Sequence, residues 1–394
     1  MLNIKKIDPD SSQLEKIAFY FLQIFLFSLN FSIAVCNIIF AALLITTPII
    51  FYKKKIRITL PKFYKYLIAF ILITGISTVF SVDFTNSLKD YKEIFIYLLI
   101  PVVLIILDNK QKISISLYTL LTSAFLSALA GIFISLINGV SLQHRLKGFT
   151  SHWMTYSGLL TMVFVFFFIY SIYQFSGKKR ITNLLLLTVI FTAIILSLTR
   201  SAWVGIFISL GIFILYSLRQ KPLIILIPTV FLLIVFLILP GSIKKRIKSI
   251  FDMNNVTNLD RIHMIYTSVE IVKDYPFTGV GPDNVKEVYP QYRHPKATKN
   301  NPHLHNNFLQ IAAERGLPAL IIFIIFILSV YLSLFKKTNN SNRNINNITL
   351  GVIFLFTTFL ISGLFEYNFG DSEIKFMLFF FLTIPFLSYK DLKQ

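Results

Sequence analysis

The chain has 394 residues, of which 55% are hydrophobic and 15% aromatic, and its mean hydropathy is +0.70. This composition excludes an ordinary soluble globular protein and predicts an all-α polytopic membrane protein. The single cysteine, Cys36, excludes a disulfide framework and a cysteine metal site, while the net charge of +20 at first suggests a nucleic-acid partner.

Apolar runs along the chain predict about twelve transmembrane helices. The first run follows a charged N-terminal segment and is roughly 35 residues long, about twice one bilayer crossing and too long for a cleavable signal peptide. We place the spans at about residues 17–34, 36–52, 63–80, 94–107, 113–137, 156–175, 182–198, 201–218, 222–239, 318–335, 348–365 and 374–389.

The distribution of lysine and arginine predicts how these helices are oriented. With the N-terminus inside, the cytoplasmic segments hold about 21 basic residues, including KKKIR at 53–57 and KKR at 178–180, and the short outer loops hold about six. Both termini are therefore expected in the cytoplasm. Because the positive charge follows the topology, it does not predict binding to nucleic acid.

One long polar segment divides the predicted helices into two groups. We expect nine transmembrane helices in residues 1–239, a large outer loop at 240–317 and three further helices in 318–394. A loop of about 80 residues is too long for a simple connector, so it is expected to have some helical structure and a function. Its first part, PGSIKKRIKSIF, predicts either an amphipathic helix that meets anionic headgroups or phosphates, or a solvated loop.

Helical spacing of apolar residues in LDRIHMIYTSVEIVKDYP predicts a helix within this loop, capped by Asn258 or Asp260. Arg261 falls in the first turn of that helix, where the positive end of the helix dipole is unfavourable for a cation. The position therefore favours an anion beside Arg261. An ordinary ion pair with Asp260 or Glu270 is the alternative.

The end of the loop holds three histidines, His294, His303 and His305, next to several cations. Their spacing matches no standard zinc site, and the nearby lysines and arginines would repel a metal ion, so no metal is expected. The GVGP sequence at 279–282 lacks the third glycine of a dinucleotide-binding motif and predicts a turn.

Two polar intrusions into apolar sequence mark the membrane boundary, where ionisable groups often have a functional role. One is PHLHNNFLQIAAERGLPAL at 302–320, in which Glu314 and Arg315 can pair with each other. The other is Arg200, near the middle of about 38 otherwise uncharged residues, which places it at a tight outer turn. Snorkelling of Arg200 to the headgroups is the alternative.

Two further segments on the predicted outer side are polar. They are QHRLKGFTSHW, with Arg145, Lys147 and His152, and EYNFGDSEIK, with Glu366, Asp371 and Glu373. Polar side chains therefore collect on one side of the membrane.

Several of these features resemble the O-antigen ligase and polymerase superfamily. The HNNFLQIAAERG sequence at 305–316 is similar to the superfamily signature at the end of a long periplasmic loop. The TRSAWVG sequence at 199–205 resembles the arginine motif that the ligases carry at an outer helix end, and Arg261 falls where they have a second arginine. Twelve spans with cytoplasmic termini also match the layout of the ligases.

The resemblance implies a membrane-embedded glycosyltransferase of the GT-C type, in the bacterial inner membrane and with a periplasmic active site. It would transfer a glycan from undecaprenyl diphosphate to a sugar hydroxyl on lipid A-core, with inversion. No nucleotide, metal or other cofactor would be needed. The partners would be these two substrates and the membrane lipids.

The same resemblance implies roles for individual residues. His305 would be the general base, since histidine exchanges protons near neutral pH, and Arg200 and Arg261 would bind the diphosphate through charge-assisted hydrogen bonds. The residues expected to support this site are His303, Asn306, Glu314, Arg145, His152 and Asp371.

Three other functions remain open at the level of sequence. A polysaccharide polymerase of the same superfamily would extend one lipid-linked glycan with another. A lipid-linked glycan transporter would carry its charges along a central path, with two similar halves, whereas the charges here gather on the outer side and no internal repeat is visible. A peptidoglycan polymerase of the shape, elongation and division type would rely on a loop aspartate in a different context.

Overall fold

The structure is a computed structural model that describes residues 12–139, 141, 144–217, 229–230, 241–297, 299–338 and 342–387. Every regular element formed by these residues is a helix. In chain order the α-helices are α1 (Gln13–Ser28), α2 (Ile33–Lys54), α3 (Tyr64–Val79), α4 (Phe84–Tyr91), α5 (Leu99–Ile106), α6 (Lys110–Asn138), α7 (Trp153–Gln174), α8 (Gly177–Leu196), α9 (Arg200–Ser217), α10 (Gly241–Phe251), α11 (Val256–Asp274), α12 (Val285–Tyr292), α13 (Asn307–Thr338), α14 (Arg343–Ser362) and α15 (Ser372–Thr383). Short 3₁₀ segments lie at Lys92–Leu98, Asn368–Gly370 and Ile384–Phe386.

Each predicted span that the structure describes overlaps a helix, although some of their residues, such as 29–32 and 363–365, lie outside helices. The ninth, 222–239, lies outside the described residues apart from residues 229–230. Within the described part, seven helices are long and apolar enough to cross a membrane, namely α2, α6, α7, α8, α9, α13 and α14. The others are shorter, so an all-helical membrane protein is supported while the number twelve stays a prediction.

Helix α7 is the centre of the bundle. In an apolar 18-residue stretch of α7, 94% of the residues are buried, whereas in the corresponding stretches of α2 and α13 only 28% and 33% are buried. Phe166 of α7 lies 4.6 Å from the Phe381 ring of α15, and a Cβ on Gly351 of α14 would be 2.9 Å from the Phe166 ring. Small and aromatic side chains therefore let α14 and α15 approach α7 closely.

Apolar side chains also cover the outside of the bundle. Ile38 of α2 is 68% exposed, and Leu332 of α13 is 63% exposed. A soluble protein of this size would not leave so many large apolar side chains uncovered, but a lipid-facing surface would. The contrast between buried α7 and exposed α2 and α13 indicates which helices meet lipid.

Polar side chains from different helices come together at the ends of the helices. At one end Lys54 pairs with Glu15, and Lys112 lies 2.8 Å from Asp108. The opposite end holds the starts of α7, α9 and α13 and the end of α14. This second end carries the histidines and arginines that the sequence singles out.

The predicted loop at 240–317 contains α10, α11, α12 and also the first part of α13, which begins at Asn307 and is interrupted at Gly316. Helix α11 begins at Val256 and is capped by Asn255, whose Oδ1 accepts from the Thr257 N–H at 3.1 Å. The prediction that Asn258 or Asp260 caps this helix is therefore wrong, and Arg261 lies in its second turn. Asn255 takes the capping position instead of Asn258 or Asp260, because its side chain reaches a free N–H group in the first turn of the helix.

A glycine-lined contact fixes this loop to α13. Gly316 interrupts α13 with φ 78°, and the GVGP turn runs alongside it. Val280 N–H donates to the Ala313 carbonyl at 2.9 Å, and a Cβ on Gly279 would lie only 2.2 Å from the Glu314 carbonyl carbon. The predicted turn is confirmed, and its glycines let two backbones touch.

Candidate functional site

His305 stands two residues before α13, in a backbone conformation that is uncommon for a side chain larger than glycine. Its φ is 47°, and the preceding Leu304 N–H donates to the Gln310 side chain at 2.6 Å. Asn306 caps α13 by accepting from the Phe308 and Leu309 N–H groups at 2.8 and 3.1 Å. The local sequence thus begins α13 just after His305, which itself stays outside the helix.

Glu366 is the direct partner of His305. The His305 Nδ1 lies 3.0 and 3.1 Å from the two carboxylate oxygens, and His303 Nε2 lies 3.5 Å from Oε1. Burial acts to raise the pKa of Glu366, but hydrogen bonds from His303 and His305 outweigh it, so the pKa lies below its ordinary value. With an ionised Glu366 accepting from Nδ1–H, the Nε2 of His305 carries the lone pair.

Two asparagines hold the Glu366 segment against the start of α13. Asn307 is fully buried; its N–H donates to the Gly363 carbonyl at 2.8 Å, and its side chain donates to Asn368 Oδ1 at 2.7 Å. Asn306 donates to the Leu364 carbonyl at 3.0 Å. The HNN sequence therefore joins His305 to the turn after α14, because each amide satisfies polar groups on both segments.

Arg200 begins α9 and is only 5% exposed. Its guanidinium donates to the Ser249 carbonyl at 2.6 Å and to Thr257 Oγ1 at 2.7 Å. Among the ion pairs formed by the described residues, none includes Arg200. The cation is therefore held in place by neutral groups of α10 and α11, and its charge is left for another partner.

Arg261 is oriented in a similar way, by the turn that also carries Glu366. Its Nη2 donates to the Phe365 carbonyl at 3.0 Å. The alternative of a local ion pair is wrong, because Asp260 pairs with Lys299 at 3.3 Å and Glu270 pairs with Lys273 at 2.6 Å.

The guanidinium groups near this end of the bundle are close enough for their charges to repel one another. Burial, followed by the charges of Arg145, Arg200 and Arg261, lowers the pKa of Arg246 to about 10. Burial also lowers the pKa of Arg261, although Glu366 acts against it. Clustered, half-buried guanidinium groups favour a bound anion with more than one charge.

Two cavities open at this end of the bundle, and His305 lines both. The apolar cavity has a volume of about 730 Å³. Arg200, Arg261 and Asn306 line it, together with large apolar side chains such as Trp203, Phe207, Ile262, Leu309 and Phe365. A lipid with an anionic head matches such a lining.

The polar cavity has a volume of about 580 Å³. Burial lowers the pKa of its His152 below the ordinary value, although Glu366 acts to raise it. The predicted residues that line this cavity are His152, His303, His305, Glu314 and Asp371. A lining of carboxylates, hydroxyls and histidines suits a ligand rich in hydroxyl groups.

Nearly all predicted site residues therefore gather around the two cavities, and Arg145 stands slightly apart. Its guanidinium carbon lies 4.7 Å from the ring centroid of Trp153, which lines the polar cavity. Glu314 forms the expected pair with Arg315 at 2.6 Å, and Arg315 also reaches Asp90 at 3.1 Å. Glu314 is thus buried and paired with Arg315, and it also lines the polar cavity.

Sequence reasoning missed the importance of Glu366. It stood out only as one acid in a polar outer segment, because its partner His305 lies 61 positions earlier in the chain. Ser249 and Thr257, which accept hydrogen bonds from Arg200, were missed for the same reason. A buried carboxylate beside two histidines is a contact that local sequence does not reveal.

His303, His305 and Glu366 also form a group that could hold a metal ion. One ligand atom from each lies within 4.8 Å of the others. The sequence predicted no metal from the spacing of the histidines, and it did not consider a distant carboxylate. The absence of a metal requirement stays a prediction, which a chelator can test.

Comparison with known families agrees with this geometry. Residues 183–324 match the model of the family described as O-Antigen ligase, a stretch that includes Arg200, Arg261 and His305. No curated protein matches the chain. With seven helices able to span a membrane, the chain is a multi-pass membrane protein. The match confirms the resemblance carried by TRSAWVG and HNNFLQIAAERG, and it covers residues 183–324 of the chain.

Proposed function

We propose that the protein is an O-antigen ligase that transfers a glycan from undecaprenyl diphosphate to a sugar hydroxyl of lipid A-core. The observation that carries the proposal is the position of His305, which lines both cavities while Glu366 holds its Nδ1 at 3.0 Å. A group that must reach donor and acceptor together is expected at such a junction.

The apolar cavity is the donor side. Its large apolar residues provide a surface for the isoprenoid chain, and Arg200 and Arg261 provide the charge for the diphosphate. Guanidinium groups bind phosphate oxygens in pairs, and this binding strengthens where water is excluded. Since neither arginine has an ion-paired carboxylate among the described residues, diphosphate binding does not first have to break a salt bridge.

The polar cavity is the acceptor side. An acceptor hydroxyl there gives its proton to Nε2 of His305 as its oxygen forms a bond to the anomeric carbon. The bond from that carbon to the diphosphate oxygen breaks, and the electron pair leaves on undecaprenyl diphosphate. Attack from the face opposite the leaving group inverts the anomeric centre. Glu366 stabilises the imidazolium that forms, and the arginines stabilise the leaving diphosphate.

The proposal includes a location and an architecture. The fold would be of the GT-C type with about twelve transmembrane helices, in the bacterial inner membrane, and both termini would be cytoplasmic. Residues 1–239 and 318–394 would form the membrane part, and the 240–317 loop would lie on the periplasmic side. The clustering of all site residues at one end of the bundle supports this arrangement.

A reconstituted reaction tests the proposal. Purified protein in proteoliposomes receives undecaprenyl-diphosphate glycan and lipid A-core, with chelator and without nucleotide. We expect transfer to the core, and we expect Arg200→Ala to lower the rate by about 100-fold, on the scale of a lost charge-stabilising donor.

The other products separate the alternatives. Exclusive formation of longer lipid-linked glycan would assign the chain to the polymerases. Movement of the donor between leaflets without any covalent product would assign it to transport. A requirement for added divalent metal would contradict catalysis by the arginines alone and would point to His303, His305 and Glu366 as ligands.

A further inference from the structure

The two cavities that meet at His305 have opposite charge. Of the residues that the structure describes, the apolar cavity is lined by two arginines and by no carboxylate. The polar cavity is lined by no lysine or arginine among the described residues, and by five carboxylates, Asp90, Asp283, Glu314, Glu366 and Asp371. The field therefore changes sign across the point where donor and acceptor would meet.

Cations behind the wall do not cancel this negative charge. Arg315 pairs with both Asp90 and Glu314 from behind, at 3.1 and 2.6 Å. Lys286 pairs with another carboxyl group of the wall, that of Asp283, at 2.7 Å. With all five carboxylates ionised, the histidines neutral, and Arg315 and Lys286 counted as their partners, the net charge is −3. The wall therefore stays negative unless His152, His303 and His305 are all protonated.

Several of these carboxylates are fixed by the fold. Asp371 caps α15 by accepting from the Glu373 N–H at 3.1 Å, and it also accepts from the hydroxyl of Thr155. Glu314 accepts from the Gln310 side chain at 2.7 Å and from the Asp283 N–H at 2.9 Å. Their oxygens cannot swing away from an incoming anion, and they remain acceptors for hydroxyl or ammonium hydrogens.

A further cation near this cavity, Arg145, does not reverse this conclusion. It stacks on the ring of Trp153 at 4.7 Å, and it is not among the residues that line the cavity. The Trp153 ring itself is part of the wall and can pack against the apolar face of a sugar.

We propose that the polar cavity selects an acceptor sugar that is neutral or carries an amino group, and excludes one that carries phosphate or carboxylate. The proposal rests on the proposed function and specifies its acceptor. Phosphates elsewhere on a lipid A-core would have to stay outside the cavity. Opposite charge in the two cavities would also stop the anionic donor head from entering the acceptor side.

Matched acceptors test this selectivity in the proteoliposome reaction. One glycolipid ends in a neutral hexose, a second carries a phosphate on a hydroxyl that does not react, and a third ends in an amino sugar. We expect kcat/KM to be at least tenfold lower for the phosphorylated acceptor than for the neutral one. The amino sugar should be used at least as well as the neutral hexose.

Variants then locate the selectivity. Asp371→Asn combined with Asp90→Asn should raise the use of the phosphorylated acceptor relative to the neutral one by severalfold. Glu287→Gln removes one charge from an exposed position outside the cavity and should leave this ratio unchanged. An unchanged ratio in the double variant would overturn the assignment to the cavity wall.

The outcomes for the two proposals are distinct. Equal kcat/KM for neutral and phosphorylated acceptors in the wild-type protein would overturn the selectivity while leaving the ligase function intact. No transfer to any acceptor, with the donor unconsumed, would contradict the proposed function itself. The wild-type comparison decides the selectivity even where a variant fails to fold.

Discussion

His305 depends on a residue that local sequence does not connect with it. Its ring is held by Glu366, 61 positions later, and the residues on either side of it, Leu304 and Asn306, are bonded to Gln310 and Leu364. A histidine with one nitrogen fixed by a carboxylate holds its other nitrogen in a constant position. At the scale of single residues, this pair defines the candidate site.

Replacing Glu366 with glutamine tests the pair. Glu366→Gln keeps the size and a hydrogen-bond acceptor, but it removes the charge that would stabilise protonated His305. We expect the transfer rate to fall by about 10- to 100-fold, less than for loss of a general base, while KM for the donor changes little. A variant with wild-type kcat would show that Glu366 has no part in the reaction.

The lowered pKa of Glu366 also predicts how stability depends on pH. The folded protein favours the carboxylate, so the stabilisation is complete above the ordinary carboxyl pKa of about 4.3 and is lost as the pH falls below it. The difference in melting temperature between wild type and Glu366→Gln should therefore be constant from pH 6 to 8 and shrink in acid. A difference that grew below pH 4 would contradict this assignment.

Polar positions and the family resemblance together predicted roles for His305, Arg200 and Arg261, and these roles stay predictions. The structure brings the three residues to the lining of one cavity. Partners were harder to predict. The expectation of an ion pair between Arg261 and a near neighbour failed, because Asp260 and Glu270 each have a lysine in reach. Long-range contacts such as that of Arg261 with Phe365 are set by packing, which local spacing does not encode.

The element that positions the site is α13, together with the turn packed beside it. Gly279 and Gly316 let the GVGP turn lie against the α13 backbone, and Leu317 N–H donates to the Pro276 carbonyl at 2.8 Å. An apolar run predicted the part of this helix at 318–335, and the helix itself begins at Asn307. The run did not predict the kink at Gly316, because a kink depends on what packs against the helix.

A substitution at Gly279 tests this contact. Gly279→Ala puts a Cβ 2.2 Å from the Glu314 carbonyl carbon, at a residue with φ 64°, and should cost more than about 2 kcal/mol. We expect a melting temperature several degrees lower and reduced transfer. Gly211→Ala in α9 meets nothing within 4 Å and is the matched control, which should keep the wild-type melting temperature. Equal melting temperatures for the two variants would argue against a tight contact.

At the scale of the whole molecule, the packing of the helices brings nearly all predicted site residues to the two cavities. Hydropathy and charge predicted the class of protein and the side on which polar residues collect. The two cavities and their opposite charge could not be predicted, because they arise where α7, α9, α13 and α14 meet. Relative positions of distant helices are a property of packing rather than of any one segment.

The predicted orientation can be measured by labelling. Cys36 is fully buried, so Cys36→Ala gives a background without cysteine into which single cysteines are introduced. Lys299→Cys, in the large loop, should react with a membrane-impermeant maleimide in intact spheroplasts. Lys178→Cys, at the start of α8, should react only after permeabilisation. The reverse pattern would place the site in the cytoplasm and contradict the proposed topology.

The most direct test of the central claim is a paired measurement in proteoliposomes. Glycan joined to the acceptor and undecaprenyl diphosphate released are counted for wild type, His305→Ala and the matched control His303→Ala. We predict one diphosphate released per glycan transferred, a loss of at least about 100-fold in both for His305→Ala, and a smaller loss for His303→Ala. Unchanged transfer by His305→Ala would contradict the assignment of His305 as the base at the junction of the two cavities.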